Sequence, residues 1–531
     1  MRALKKILIL SHRYMGIPLS SLFVVWFFSA FVMIYAGGMP RVTPDIRIEG
    51  ASSLDFNAIS VSPLEAVGIL GYSPPEARLR TLLGRPVYEF PELRYPSAFI
   101  WADSGEFLSE LSVEEGAQIA SDFLDIPVGE IHFSEFISEP DQWTIAQVRD
   151  LPLFKYEVSD EFATEVYVSP LNANVSVYTT RQSRLLAWLG TIPHWFYFAD
   201  LRANQPLWYN LVVWTSGLGC ILVLMGLTLS VTQFRKIRPF DLKRAIPYHG
   251  FRRWHYILGS VFGIFALTWA FSGMLSMEPF AWTNARGLAV DENVYAEGNL
   301  DFAAFPPLEE QPWDTLDMGD IKEVDFRWIA GQPYYSVNYS TSGSDTRVAM
   351  DKRDRLHQPY YIIGQLESGS QLISAHDFQV QDQFNTETLV QKLDNNVADA
   401  SVIQWDLLDN YDDYYYSRGQ QLPLPVLRVK FDDPALSWIY IDPRKAELLS
   451  LIPRNSRIER WLYSGLHSLD FRFWYHSRPL WDIGVLLLLT GGLLISLLGL
   501  YLALKRVKYD VQALLAKFRK QQGSEVTGVS N

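Results

Sequence analysis

Four stretches of the chain, 14–37, 207–231, 255–277 and 483–504, run for about twenty residues or more almost without charge. A helix rises ~1.5 Å per residue, so each is long enough to cross a hydrocarbon layer of ~30 Å. The pattern therefore predicts four transmembrane helices. Between the first and second spans the periodicity changes. Residues 63–70 suggest a helix and 79–90 and 98–102 strands. Residues 113–124 have helical apolar spacing behind Ser112, with Glu115 three positions on, the signature of a reciprocal N-terminal cap. Residues 154–158 and 165–168 alternate with period two, as half-buried strands do. The segment between the third and fourth spans is expected to follow the same order, with an insertion at 357–420. Both segments read as small α+β domains.

Charge orients these elements. Arg2, Lys5, Lys6 and Arg13 precede the first span, seven Lys and Arg residues lie in 232–254, and six follow the fourth span. By the positive-inside rule all three segments are expected to be cytoplasmic. Together they carry +14 in a chain of net charge −13, which leaves −27 for the rest, nearly all of it in the two long segments. Those acidic segments belong on the far side, and without a basic face they are not nucleic-acid binders. The predicted layout is 1–37 cytoplasmic N-terminus and first span, 38–182 first periplasmic domain, and 183–231 interfacial segment and second span. Then come 232–254 cytoplasmic loop, 255–277 third span, 278–455 second periplasmic domain, 456–504 interfacial segment and fourth span, and 505–531 cytoplasmic tail. The first span is too long for a signal-peptide core and is expected to remain as an anchor. The single cysteine, Cys220, lies within the second span, so neither a disulfide framework nor a Cys-x-x-Cys-His haem attachment is available. A bacterial inner membrane, with both termini cytoplasmic, fits these features.

The chain repeats itself. Ser183-Arg184, Trp188-Leu189 and His194 recur as Ser456-Arg457, Trp461-Leu462 and His467, and Pro206-Leu207-Trp208, Gly219 and Gly226 recur as Pro479-Leu480-Trp481, Gly492 and Gly499. Each pair is 273 positions apart. His12, Gly16, Trp26, Phe28 and Ser29 align with His255, Gly259, Trp269, Phe271 and Ser272 at an offset of 243. Gly84-Arg-Pro-Val-Tyr88 matches Gly331-Gln-Pro-Tyr-Tyr335. Each half thus reads as helix, acidic domain, helix, and the bundle is expected to be pseudo-two-fold about the membrane normal.

Four of the nine histidines occupy repeat-equivalent positions: His12 with His255, and His194 with His467. Equivalent residues face one another across a pseudo-two-fold axis, and two facing neutral imidazoles are what bis-histidyl ligation of haem iron requires. Two haems b are expected, one on each side of the membrane. A single histidine at a helix end is ordinarily an interfacial hydrogen bonder; the argument rests on the pairing. Arg184 and Arg457 could reach haem propionates bidentately or anchor at headgroup level, and Trp188 and Trp461 could flank a porphyrin or belong to an interfacial belt. His249 and His476 have no counterpart, and His132, His357 and His376 fall in the periplasmic segments. A zinc or copper site would need a denser ligand cluster than the sequence offers.

The layout of Ser-His-Arg-Tyr-Met-Gly at 11–16, Trp-His-Tyr-Ile-Leu-Gly at 254–259 and Leu-His at 466–467, around Gly-x-Pro-x-Tyr and Asp-Ser-Gly-Glu at 103–106, resembles the PepSY-associated transmembrane family. The resemblance implies two PepSY-like periplasmic domains, haem ligation by His12, His255, His194 and His467, and reduction of a ferric siderophore or other ferric chelate in the periplasm. His194 stands in Ile-Pro-His rather than Leu-His, a departure from the family's pattern. The cytoplasmic segments are short and lack a dinucleotide fingerprint, so electrons would come from membrane quinol or a redox partner protein. The competing expectation is a non-enzymatic PepSY protein that binds or inhibits a periplasmic peptidase or other partner. Residues 409–418, rich in Tyr and Asp, could hold a chelate or could pack on their own domain.

Overall fold

The computed structural model describes residues 2–36, 38–92, 96–238, 241–279, 281, 287–340, 368–397, 399–416 and 422–527. The chain divides into two compact units, Met1–Tyr35 with Trp188–Asn284 and Ile458–Asn531, and Ala36–Ala187 with Ala285–Arg457.

In the first unit, four helices among the described residues are long and apolar enough to cross a membrane: Ala3–Ala36, Gln205–Gln233, Gly250–Leu275 and Leu480–Lys517. The second begins where local chemistry directs. The Asn204 side chain accepts from the Leu207 N–H at 3.2 Å, and Pro206 stands in the first turn, where no intrahelical donor is needed. The fourth helix runs on to Thr527 through the residues predicted as a tail. No Gly or Pro interrupts 500–522, and an Arg506–Asp510 pair at 2.7 Å supports the extension one turn apart. The third helix packs against the second and fourth. Apolar surface gives little drive for helices to associate in lipid, so close packing over small residues must supply it. Phe23 covers Gly219, where an added Cβ would lie 3.1 Å from the ring, and Phe27 covers Gly492 so closely that a Cβ would overlap it.

The second unit is built from three antiparallel sheets. Four strands, Ile131–Ile137, Leu153–Val158, Glu165–Ser169 and Asn174–Thr179, form one sheet in that order, and the helix Val113–Leu124 packs on it. The Ser112–Glu115 cap is formed in both directions. Val402–Leu408, Val426–Phe431, Trp438–Asp442 and Glu447–Ile452 form a second sheet of the same order, covered by Thr386–Asn396. The described part of the region predicted as an insertion, 368–397 and 399–416, supplies the strands Ser368–Ser374 and Val380–Gln381, the helix Thr386–Asn396 and the strand Val402–Leu408, which apart from the two-residue strand follow the order of the first domain. The added length lies instead between Ser340 and Ser368, outside the described residues.

Among the described residues the third sheet has seven strands, drawn from both of the long segments between spans. Arg78–Leu82 pairs antiparallel with Asp320–Ile329, placing Arg78 opposite Asp325, Leu79 opposite Val324 and Arg80 opposite Glu323. The offset relating Gly84–Tyr88 to Gly331–Tyr335 also carries Arg78 onto Asp325. A residue facing its own counterpart is what a local two-fold axis through the sheet produces. Ionic bonds hold this joint. Arg78 Nε lies 2.8 Å from Asp325, and Glu323, 1% exposed, accepts from Arg47, from Asn338 at 2.9 Å and faces Arg78 at 3.5 Å. The hairpins beside it turn through Leu83-Gly84 and Ala330-Gly331, all at positive φ, a conformation that glycine adopts without a Cβ penalty.

Candidate functional site

The four paired histidines all lie in the first unit, and each pair is brought together. The rings of His12 and His255 have centroids 6.4 Å apart, and those of His194 and His467 are 6.1 Å apart. Metal–imidazole bonds of ~2.0 Å and C–N bonds of ~1.33 Å give ~6.2 Å for two imidazoles on opposite sides of one ion. Both separations match that span.

Their hydrogen bonds also repeat. His12 Nδ1 lies 3.1 Å from the Leu222 carbonyl and His255 Nδ1 3.3 Å from that of Ile495, 273 positions further on. A carbonyl only accepts, so Nδ1 must carry the proton and Nε2 the lone pair. At the second pair the partners are hydroxyls. Ser29 Oγ lies 2.9 Å from His194 Nδ1, and Ser272 Oγ 3.0 Å from His467 Nδ1. Each serine donates its own hydrogen to a helix carbonyl, Trp26 at 3.1 Å and Trp269 at 3.2 Å. The hydroxyl is left to accept from Nδ1–H, the same tautomer as at the first pair. Partners of this kind fix the tautomer and ring orientation of metal-binding histidines.

The backbone around the second pair repeats as well. Short helices carry His194 and His467, and each ends on a left-handed residue, Phe196 or Leu469, both at φ 52°. Trp208 Nε1 donates to the Trp195 carbonyl at 2.8 Å and Trp481 Nε1 to that of Leu469 at 2.9 Å, tying each turn to its following span. His194 therefore shares the serine contact and the left-handed helix end of His467, despite its Ile-Pro-His setting. One difference is Tyr463, stacked on His467 at 5.3 Å, where the first half has Gly190.

A cavity of about 580 Å³ opens between His12 and His255, within the range of cofactor pockets. Glycines at 16, 226, 259 and 499 line it, and a Cβ on Gly226 would sit 3.0 Å from His12 Cε1. These glycines clear room beside the rings. Phe23 and Phe27 also line it, and Arg13, Arg252 and Arg506 contribute cationic groups. Among the described residues no group of three or more His, Cys, Asp or Glu side chains could hold a metal ion. A haem asks for only two protein ligands, so the His12–His255 pair and its glycine-lined cavity fit it.

The other expected site residues lie elsewhere. Arg184, in the second unit, donates to Thr179 Oγ1 at 2.7 Å and the Ala163 carbonyl at 2.9 Å and pairs with Glu165. Arg457 donates to the Leu436 and Ile452 carbonyls at 2.8 Å and lies over Trp438. The positions match at the 273 offset, and both arginines, read from the sequence as able to reach propionates or to anchor at headgroup level, clamp the last turn of each four-stranded sheet. Trp188 and Trp461 contact Phe198 and Phe471, likewise equivalent. His132 bonds Ser159 at 2.8 Å, His249 precedes the third span, and His357 lies outside the described residues.

Residues 409–416 pack on their own sheet, while Ser417 and Arg418 lie outside the described residues. Tyr415 stacks on Tyr440 at 5.1 Å, and Asp412 accepts from the Tyr414 and Tyr415 amides, Arg428 and the Tyr440 hydroxyl. Arg428 also bonds Asp406 and holds that carboxyl below the usual range. Asp412→Ala would leave several buried donors unmatched. A loss of about 2–3 kcal/mol is expected, read as an earlier urea transition of the far-UV signal of the sheets in the full-length protein.

Sequence reasoning found Ser29 and Ser272 in the repeat but gave them no role, and it passed over Arg13, Arg252 and Arg506. The serines share the 243 offset of the first histidine pair, a signal that could have linked them to the site. No family model matches the chain, and no curated protein matches it.

Proposed function

We propose that this chain is a di-haem b electron-transfer protein of the bacterial inner membrane, built by duplication of one unit and akin to the PepSY-associated transmembrane family. It would pass electrons from membrane quinol or a redox partner to a ferric siderophore or other ferric chelate in the periplasm. The observation that carries this reading is the double pairing of imidazoles, each with its Nδ1 set against a backbone carbonyl or a serine hydroxyl. Duplication is supported by the matched hydrogen bonds of both halves and by the strand that faces its own counterpart.

Bound between these imidazoles, haem iron would supply reversible one-electron chemistry. The protein's part is to hold and orient the ligands, shape the cavity and exclude water. Ser29 and Ser272 each lie 17 residues beyond the histidine on the same helix, so the two pairs are separated by ~25 Å along the bundle. Aromatic rings occupy the interval: Phe23 stacks on Phe27 at 6.2 Å, and Phe27 meets Trp269 edge-on at 5.6 Å. Trp269 in turn donates to the His467 carbonyl at 2.8 Å. Reducing a ferric chelate weakens its hold on the metal, since hard oxygen donors favour the trivalent ion.

The test is optical. Protein purified from haem-replete cells should show a Soret band and a b-type α-band on reduction, and the reduced form should reoxidise with ferric chelates. A colourless preparation would end this reading. Ser272→Ala should weaken only the centre bound by His194 and His467, by roughly 10–100-fold in haem affinity. Haem transfer to apomyoglobin would measure it.

A second reading, partner or peptidase binding by PepSY-like domains, is favoured by one feature. The edge strands Ile131–Ile137 and Val402–Leu408 expose Phe133, Phe136, Ile403, Trp405 and Leu407. Such edges can add a strand from another chain. On this reading binding would survive removal of every paired histidine.

A further inference from the structure

The cavity between His12 and His255 is chemically lopsided. Its deep end is walled by Phe23, Phe27 and Ala266, with hydroxyls at Ser20 and Ser496. Both hydroxyls already donate to helix carbonyls, to Ile17 at 3.4 Å and Gly492 at 2.7 Å. Among the residues lining that end none is a cation, so an anionic group there would lose its hydration without compensation, at a cost of several kcal/mol. The cations of the lining are Arg13, Arg252, Lys505 and Arg506. Arg13 directly follows one paired histidine, and Arg252 precedes the other by three residues, nearly one helical turn. Arg506 is set in place by Asp510, at 2.8 Å from its Nε, and by the Tyr14 hydroxyl at 3.2 Å.

We infer that this cavity binds its porphyrin in one orientation, apolar edge toward Phe27 and both carboxylates held by Arg13 and Arg252, with Arg506 completing the cationic rim. The inference rests on the haem reading above and assigns the carboxylate-binding role to a different set of arginines from Arg184 and Arg457. Guanidinium groups bind carboxylates through paired charge-assisted hydrogen bonds, each of which is worth about tenfold in affinity.

The experiment compares the full-length protein with Arg13→Gln, Arg252→Gln and the double variant, in nanodiscs of zwitterionic lipid alone and of lipid with phosphatidylglycerol. Each is stripped and reconstituted with protohaem or its dimethyl ester, in which the carboxylates are blocked. The centre is identified as the one His12→Ala removes. Native protein should lose the ester at least tenfold faster than protohaem from this centre, and the double variant should release both at the same fast rate. The midpoint potential of this centre should fall in the variants, because removing cations disfavours the reduced, more negative form; the other centre is the internal control. Equal retention of ester and protohaem by native protein would overturn the assignment. So would variants that speed release of the ester, relative to native protein, as much as they speed release of protohaem, which marks a structural role. An effect seen only with phosphatidylglycerol would overturn it too, by showing that the arginines hold lipid headgroups. Native protein that takes up neither porphyrin would instead overturn the haem reading itself.

Discussion

On the proposed di-haem reading, replacing His12 or His255 with Ala should remove one and the same haem, leaving one haem per chain in place of two. His194→Ala and His467→Ala should each remove the other, and His12→Ala combined with His194→Ala should leave none. The size of the effect follows from bis-histidyl ligation: with one imidazole gone, a single axial bond and apolar packing remain. The pairing is the discriminating feature, because ring separations of 6.4 and 6.1 Å join residues across the sequence halves rather than within them. Haem content by pyridine haemochromogen, with redox titration to identify the remaining centre, is the measurement. If His12→Ala and His255→Ala removed different centres, the cross-half pairing would be wrong. His255→Met offers a milder probe: a thioether in place of imidazole should keep the haem and raise its potential.

The second large effect concerns the joint of the seven-stranded sheet. Glu323→Ala should destabilise the extramembrane unit by about 3 kcal/mol, because it strips a buried acceptor from two arginines and Asn338. The figure sits at the low end for a broken buried pair, since the Arg47 and Arg78 side chains are 32% and 26% exposed and water recovers part of the loss. Glu323→Gln, which keeps shape and one acceptor oxygen, should cost less than half as much. Urea unfolding of the full-length protein, followed by the far-UV signal of the sheets, would measure both. A Glu323→Ala transition coincident with the native one would show that the strand pairing alone holds the joint.

Much of this was legible before any coordinates. Ser112 with Glu115 marks the helix they cap, because capping chemistry is local. The insertion was drawn too wide, because periodicity does not show which strand pairs with which. Residues 368–374 and 402–408 belong to sheets whose other members lie far away in sequence. Arg184 and Arg457 were legible as a pair and not as a role. Their offset says that they do the same thing, while the Ala163 and Leu436 carbonyls that define it are brought to them only by folding.

The sequence by itself determined the four apolar spans, the order of elements in each extramembrane domain and the four histidines that recur at fixed offsets. Hydrophobic length, capping and repetition are properties of the chain read in one dimension. Only the tertiary structure decided the separations at which the paired rings meet, that Ser29 and Ser272 contact the second pair, and that Arg13 and Arg252 join one cavity. Those relations depend on distances between helices, which glycines at 219 and 492 set by admitting Phe23 and Phe27. No local pattern carries a distance.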